Sequence, residues 1–517
     1  MSPPLDQRRR YLIAFTAALA AMVEIIDTSI VNVALSEMQA SLGATLSEVS
    51  WVITSYAMAN VIILPMSAWL GERFGKTRYF VFSLIGFTIS SMLCGLATSL
   101  WMLIAARTLQ GLTGGGLMAK AQAILFETFP REEQGKAQAI FGITATAGPA
   151  IGPTLGGYLV THFGWRWIFY INLPIGVLGV IMAITYLVPD PPGKKQSGAV
   201  DWGGIGLLAV GLGSLQYMLE EGNSEDWFQS GLIVGCAALA AVTLVGFVFR
   251  QLRIDNPVVD LRVLRHRALA AGCLFSMMLG LVLYGTVFAV PLFAQGILGY
   301  TAQDTGILLL PSALVTAMMM PVVGKLAGKL DPRVLIAIGG MILVLALVLF
   351  GTLSPMTSAG ELQVPLMVRS LGMPFMFLPL SLAAIAPLPK HEIGKATGVF
   401  NLTRQLGGSM GIALLSTVLS RRQAFHAERV GDHLGANDPR VLERLAMLTQ
   451  GFIAKGYDAA SAKLTALTAL SGQVKKQAAV MGFNDTFHIT TALVLITLPF
   501  VVFLGKGGGK IEGGGAH

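Results

Sequence analysis

Six ionisable side chains lie inside long apolar stretches of this chain: Glu24, Asp27, Arg107, Lys120, Arg369 and Arg404. Each costs roughly 2.5 to 3.5 kcal/mol in a bilayer interior on insertion scales, so each calls for a partner, a water-filled cavity or a function. Glu24 and Asp27 are three residues apart, which puts both carboxyls on one face of a helix. Neighbouring carboxyls in a low-dielectric cleft suit proton carriage, because one can hold the proton while the other stays charged. Depth counting places Asp27 and Arg107 in the outer half of the membrane, where they can pair. The pair is then either a proton-linked switch or a static clamp of span one on span four. Lys120 lies near an inner span end, within reach of the interface if its stem snorkels. Arg369 and Arg404 have no acidic residue in the spans of their own half. They are candidates for attracting a substrate anion or for sharing the span-one carboxylates.

The elements that must carry these residues are membrane helices. The chain is 54% hydrophobic and only 12% charged over 517 residues, with a mean hydropathy of +0.68, far from the balance of a soluble globular protein. Apolar runs long enough to span fall near 11–35, 50–70, 79–98, 102–126, 137–161, 167–188, 202–220, 229–249, 268–292, 305–326, 333–353, 364–386, 396–420 and 486–504, fourteen in all. The first is too long for a secretory leader and has no cleavage pattern, so it is expected to remain as a span. With an even number of spans both termini share a side. The loops and tails on that side carry 22 Lys and Arg, against Arg166 alone in the short opposite loops, which places both ends in the cytoplasm. The formal charge of +8 is thus a topology signal, and no nucleic-acid partner is expected.

An internal repeat divides the chain. Gly135-Lys136-Ala137 recurs as Gly394-Lys395-Ala396 at an offset of 259, Arg107-Thr108-Leu109 as Arg369-Ser370-Leu371 at 262, and Leu64-Pro65-Met66 as Met320-Pro321-Val322 at 256. Spans one to six therefore match nine to fourteen, with two spans inserted between. The expected organisation is a cytoplasmic tail 1–10, a six-helix half 11–188, two inserted helices 202–250, and a second half 268–504 that contains an outer loop 421–485. A glycine-rich cytoplasmic tail, expected to be disordered, follows at 505–517. Paired halves with a site at their interface are what a secondary transporter requires.

Span five carries Gly148, Pro149, Gly152, Pro153, Gly156 and Gly157. Glycines four apart let two backbones approach closely, and prolines are tolerated where neighbours re-satisfy the freed backbone groups. A kinked, tightly packed helix is expected, serving as a packing element or a bending point. Methionines at 277, 278, 318–320, 373 and 376 are mostly filler, though thioethers also suit a pocket for varied apolar ligands. Enzymatic chemistry has little footing. The Gly-Lys-Thr at 75–77 lacks the correctly placed first glycine and joins two spans, no His-Glu-x-x-His occurs, and no histidine lies well inside a span. The three cysteines lie in apolar segments, so neither a disulfide framework, a metal site nor a cofactor is expected.

With these motifs in view, the sequence resembles the fourteen-span drug:proton antiporter family of the major facilitator superfamily over nearly its whole length. Leu103-x3-Arg107-x2-Gln110-Gly111 matches the family's span-four motif, Gly148 to Gly157 its span-five antiporter motif, and Ile26 to Ala34 its span-one signature. Trp165 to Gly176 resembles the start of its span six. The loop motif after span two is degraded: Ala68-x3-Glu72-Arg73-Phe74-Gly75-Lys76-Thr77 stands for Gly-x3-Asp-Arg-x-Gly-Arg-Lys. The resemblance implies an all-α major facilitator fold of fourteen transmembrane helices and proton-coupled export of hydrophobic drug-like compounds by alternating access. Some members work with a periplasmic adaptor and an outer-membrane channel, for which loop 421–485 is the candidate surface; that loop could equally lie on the membrane. Proton coupling is expected at Asp27, Glu24 and Arg107, and a substrate cavity at Asn32, Gln110, Arg369, Asn401, Arg404 and Gln405. The span-five Gly/Pro set is the expected hinge, and Glu72, Arg73, Gly75 and Lys76 the cytoplasmic gate. Rival readings are an exporter of one endogenous molecule, such as a fatty acid or siderophore, and a non-transporting membrane scaffold.

Overall fold

A computed structural model describes residues 6–190, 199–432 and 438–504. The expected glycine-rich tail at 505–517 lies outside them. Among the described residues the chain is helical, with no strand. The first half comprises α1 (Gln7–Ile30), α2 (Leu35–Leu42), α3 (Leu46–Phe74), α4 (Lys76–Gly95), α5 (Leu100–Gly114), α6 (Leu117–Thr128), α7 (Gln134–Phe163), α8 (Trp167–Tyr170) and α9 (Asn172–Tyr186). Two further helices, α10 (Trp202–Glu221) and α11 (Gly231–Arg253), precede the second half: α12 (Arg267–Gly296), α13 (Ala302–Leu326), α14 (Pro332–Phe350), α15 (Ala359–Ile385), α16 (Ile393–Asp432), α17 (Pro439–Ala454) and α18 (Ala459–Thr497).

Eleven helices among the described residues are long and apolar enough to cross a membrane. The other three expected crossings, α5 with α6, α7 and α16, are also helical, but glycine, proline and polar residues dilute their apolar runs. Capping boxes at Thr45/Glu48, Thr301/Asp304 and Ser358/Glu361 start α3, α13 and α15 at the ends expected to face outward. Span four is broken. α5 stops at Gly114 and α6 starts at Leu117, and a Cβ on Gly115 would come within 2.8 Å of the Asn60 backbone, so α3 crowds the chain at the break.

The repeat is also a packing repeat. Gly148, Gly152 and Gly156 seat α7 on α1, where a Cβ would meet Ile25, Ser29 and Ile30 respectively. At the 259-residue offset, Gly407 and Gly411 seat α16 on α12, against the carbonyls of Met277 and Leu281. Small residues replace side-chain bulk at both contacts, which lets backbone meet backbone. α7 is helical through Pro149 and Pro153 without a break, and Gly157, buried, accepts the Thr161 hydroxyl at 2.8 Å. Its other face meets α13 of the second half, where Gly135 opposes Gly324 and Thr154 opposes Gly306.

α11 exposes Leu232, Val242 and Val245 along its length, as a helix bathed in lipid does. α10 bridges the halves: Thr54 of α3 donates to Glu221 at 3.4 Å, while Gln216 donates to Ser409 of α16 at 2.9 Å. The loop at 421–485 is helical over most of its described residues. α16 continues past residue 420 to Asp432, 40 residues in all, and α18 runs 39 residues unbroken into the last span. Forty residues make about 60 Å of helix against a hydrocarbon core of about 30 Å, so both helices project well beyond it. Asp485 ties the arm at its base, accepting from Arg422 at 2.5 Å and His426 at 2.7 Å.

Candidate functional site

Two clusters of polar groups occupy the centre of the bundle. The first is closed within the first half. Asp27 of α1 and Arg107 of α5, both fully buried, pair at 2.6 Å. The other Asp27 oxygen accepts from Gln110 at 3.0 Å and Asn172 at 2.9 Å. Arg107 also donates to the Val52 carbonyl at 3.1 Å and to Gln110 Oε1 at 2.8 Å, and its guanidinium lies 4.1 Å from the Tyr56 ring centre. The Asp27 carboxylate, two further oxygen acceptors and the aromatic face together accommodate the buried guanidinium.

The second cluster spans the halves. Glu24, one helical turn inward of Asp27, accepts from Asn60 of α3 at 2.9 Å and from the Met118 backbone N–H at 2.8 Å. Met118 is the second residue of α6, so the break in span four aims a helix N-terminus at the Glu24 carboxyl, where its dipole favours negative charge. Asn60 passes the connection on, accepting at Oδ1 from Gln405 of α16 at 3.0 Å. A parallel link runs from Gln122 of α6, which accepts from Asn401 at 2.7 Å. Arg404 donates to Asn401 Oδ1, reaches Met118 Sδ at 3.6 Å and covers the Phe377 ring. The apolar neighbour of this layer is a Phe141–Phe377 stack between α7 and α15, centroids 6.3 Å apart.

The sequence-derived candidates thus separate. Asp27, Arg107 and Gln110 form one unit, with Gln110 satisfying the pair instead of facing the interface. Glu24, Asn401, Arg404 and Gln405 meet between the halves. Asn32 is exposed on the turn after α1, and Arg369 lies apart in the second half. Among the described residues Arg404 makes no direct ion pair with a span-one carboxylate, though the Glu24 charge acts on it across the layer; its hydrogen-bond partners are Asn401 and Met118. Lys120 does not snorkel: it is buried over the Tyr79 ring, within 3.4 Å of Ser83 Oγ. Asn60, Gln122 and Asn172 carry central hydrogen bonds without having been singled out as site residues; an amide inside an apolar span was the available signal.

At the end of the bundle expected to face the cytoplasm, Lys76 pairs with Glu127 at 2.6 Å and Arg73 covers Trp69. Glu72 lies 4.0 Å from Lys395 of the second half, which also pairs with Asp260 at 3.1 Å. Gly75 has φ +99°, and a Cβ there would collide with Asp190, whose carboxylate accepts from the Thr77 and Arg78 backbone N–H groups at the start of α4.

Pseudo-repeated helical halves joined by a buried polar layer are the architecture of a secondary transporter. Residues 17–412 match the Major Facilitator Superfamily. The chain is 32% identical to the multidrug export protein EmrB of Haemophilus influenzae over 507 residues, 98% of this chain and 97% of that protein. It is 30% identical to the fatty acid resistance protein FarB of Neisseria gonorrhoeae, over 100% of this chain and 99% of that one. The structure of the proton:xylose symporter XylE shares the fold at 12% identity, with TM-score 0.59 over 96% of this chain and 97% of that chain. The chain belongs to the Major Facilitator Superfamily and, within it, to the family of the EmrB export proteins.

Proposed function

We propose that the protein is a proton-coupled exporter of apolar, weakly acidic, drug-like compounds. It works by alternating access as the inner-membrane part of a tripartite efflux system, with both termini cytoplasmic. The observation that carries the reading is the chain Glu24–Asn60–Gln405, which joins a buried acid to both halves. Protonating Glu24 removes the charge that the Met118 N–H and Asn60 amide serve, so the amide link to α16 loosens and the halves can tilt. Asp27, held by three donors, keeps Arg107 in place and gives it up only when it too takes a proton. Glycine-seated α7 slides against α1 and α13 as the hinge, and the Glu72–Lys395 contact opens and closes the inner face. Substrate leaves outward, and the projecting arm of α16, α17 and α18 is the surface offered to an adaptor.

Similarity to EmrB supports a broad drug range; similarity to FarB supports a second reading, export of fatty acids alone. Competition by chemically unrelated drugs decides between them. The coupling is tested with Glu24→Gln in proteoliposomes. That variant should lose efflux driven by an imposed pH gradient yet still exchange labelled for unlabelled substrate; full gradient-driven efflux would remove Glu24 from the mechanism.

A further inference from the structure

The repeat copies a cation into the second half without copying its counter-charge. Arg369 corresponds to Arg107, and the residue 259 positions after Asp27 is Thr286. The two meet as the first pair does: Arg369 donates to Thr286 Oγ1 at 3.1 Å. Thr286 is fully buried and directs its own proton to the carbonyls of Val282 and Leu283, at 2.8 and 3.0 Å. A hydroxyl where the first half has a carboxylate leaves the guanidinium charge unanswered. Among the described residues Arg369 joins no ion pair, whereas Arg107 pairs at 2.6 Å. Its Nε is buried without a hydrogen-bond partner, and only 9% of the residue is exposed.

Beside Arg369 lies a cavity of about 40 Å³. Ser312, Thr316 and Ser370 line it with Arg369 on the polar side, Leu283 on the apolar side, and Pro149 of α7 bounds it from the other half. Such a space holds a carboxylate-sized group and falls far short of the roughly 300 Å³ or more of a pocket for a whole drug-like molecule. We infer that this cavity is a head-group subsite, taking the carboxylate of an apolar, singly charged acid as the counter-charge to Arg369 that Asp27 is to Arg107. The inference rests on the export reading above and assigns the residue and cavity that hold the acidic group of its substrates.

Charge and geometry select that class. A planar carboxylate matches the guanidinium fork, and one negative charge cancels the one positive charge. A doubly charged phosphate would leave a net charge in an apolar wall, which is strongly unfavourable. Because Pro149 bounds the cavity, an occupant there touches the proposed hinge directly.

The test uses the full chain in detergent, in chloride-free buffer at pH 8, comparing octanoate with 1-octanol as ligands. Wild type should bind octanoate at least about tenfold more tightly than octanol, the worth of a charge-assisted pair. Arg369→Gln should bring the ratio near one. Thr286→Asp supplies the missing carboxylate from the chain itself, so it should abolish the preference as well and melt no lower than wild type, which keeps the test valid if Arg369→Gln fails to fold. No octanoate preference in wild type, or a preference kept by a folded Thr286→Asp, overturns the subsite. Acid export in cells with that preference unchanged would sink this site alone. Octanoate bound through Arg369 by a protein that exports nothing would sink the export reading and leave the site standing.

Discussion

Replacing Asp27 by Asn separates a clamp from a switch. Both carboxylate oxygens only accept: from Arg107 at 2.6 Å, Gln110 at 3.0 Å and Asn172 at 2.9 Å. Asn offers one acceptor oxygen and an amide that must face one of those donors. The substitution therefore removes the counter-charge of a cation that is 1% exposed and sets one donor against another. Leaving a buried charge unpaired costs about 3 to 5 kcal/mol, a large share of the 5 to 15 kcal/mol that typically separates folded from unfolded. The remaining holds on Arg107, the Val52 carbonyl, Gln110 Oε1 and the Tyr56 ring, soften that loss without cancelling it. In the double variant Asp27→Asn/Arg107→Gln no charge is left, and most of the lost stability should return, because removing both partners is far cheaper than removing one. Equilibrium unfolding in mixed micelles measures the stabilities, and pH-gradient-driven efflux in proteoliposomes measures function. Stability should fall in the single variant and recover in the double, while efflux is absent from both. A double variant no more stable than the single one would show that Arg107 is not held chiefly by Asp27, and undiminished efflux in Asp27→Asn would remove that acid from the coupling.

Two further outcomes follow from the packing and the loops. Gly152→Val places branched carbon against Ser29 and the Ile30 backbone at the seam of α1 and α7, where Ser29 Cβ at 2.8 Å and the Ile30 nitrogen at 3.1 Å crowd the site even if the Ser29 hydroxyl turns away; overpacking of this kind costs about 1 to 3 kcal/mol, and both melting temperature and transport should drop. Ser29→Gly should restore part of the loss, and equal melting of Gly152→Val and wild type would refute the close seam. Asp201, at the start of α10, is buried, which alone would raise its pKa, but bonds from the Gly204 N–H, Arg250 and Gln251 outweigh burial and hold its carboxyl below the ordinary value. A depressed folded-state pKa stabilises above the unfolded value of about 3.9 and is lost as pH falls through the folded value. The melting-temperature gap between wild type and Asp201→Ala should thus be constant from pH 8 to 5 and narrow below about pH 4; a gap independent of pH would refute the ionic hold.

What the sequence made legible, and what it hid, follows from the kind of signal each feature leaves. Bilayer thickness imposes a length on an apolar run, so most helices could be placed; the same signal ends at the hydrocarbon boundary, which is why α16 and α18 outrun their expected spans. Water does not stop a helix, and nothing at residue 420 breaks this one. The Asp27–Arg107 pair was readable because depth along two spans and opposite charge both pointed to it. Glu24 was readable as an acid but not in its partners, since one is a backbone N–H left free where span four breaks beside α3. Amides such as Asn60 and Gln122 give no charge to balance, so their pairing across the halves needs the third dimension. Thr286 was within reach: shifting Asp27 by the offset of the repeat finds it, and the physical point is what is missing there. An arginine present in both halves whose acid stands only in the first costs insertion energy, with no internal pair among the described residues to offset it. The unpaired Nε and the cavity beside it place that cost where an anionic ligand could repay it, and Pro149 at the cavity wall joins such a ligand to the helix proposed to move.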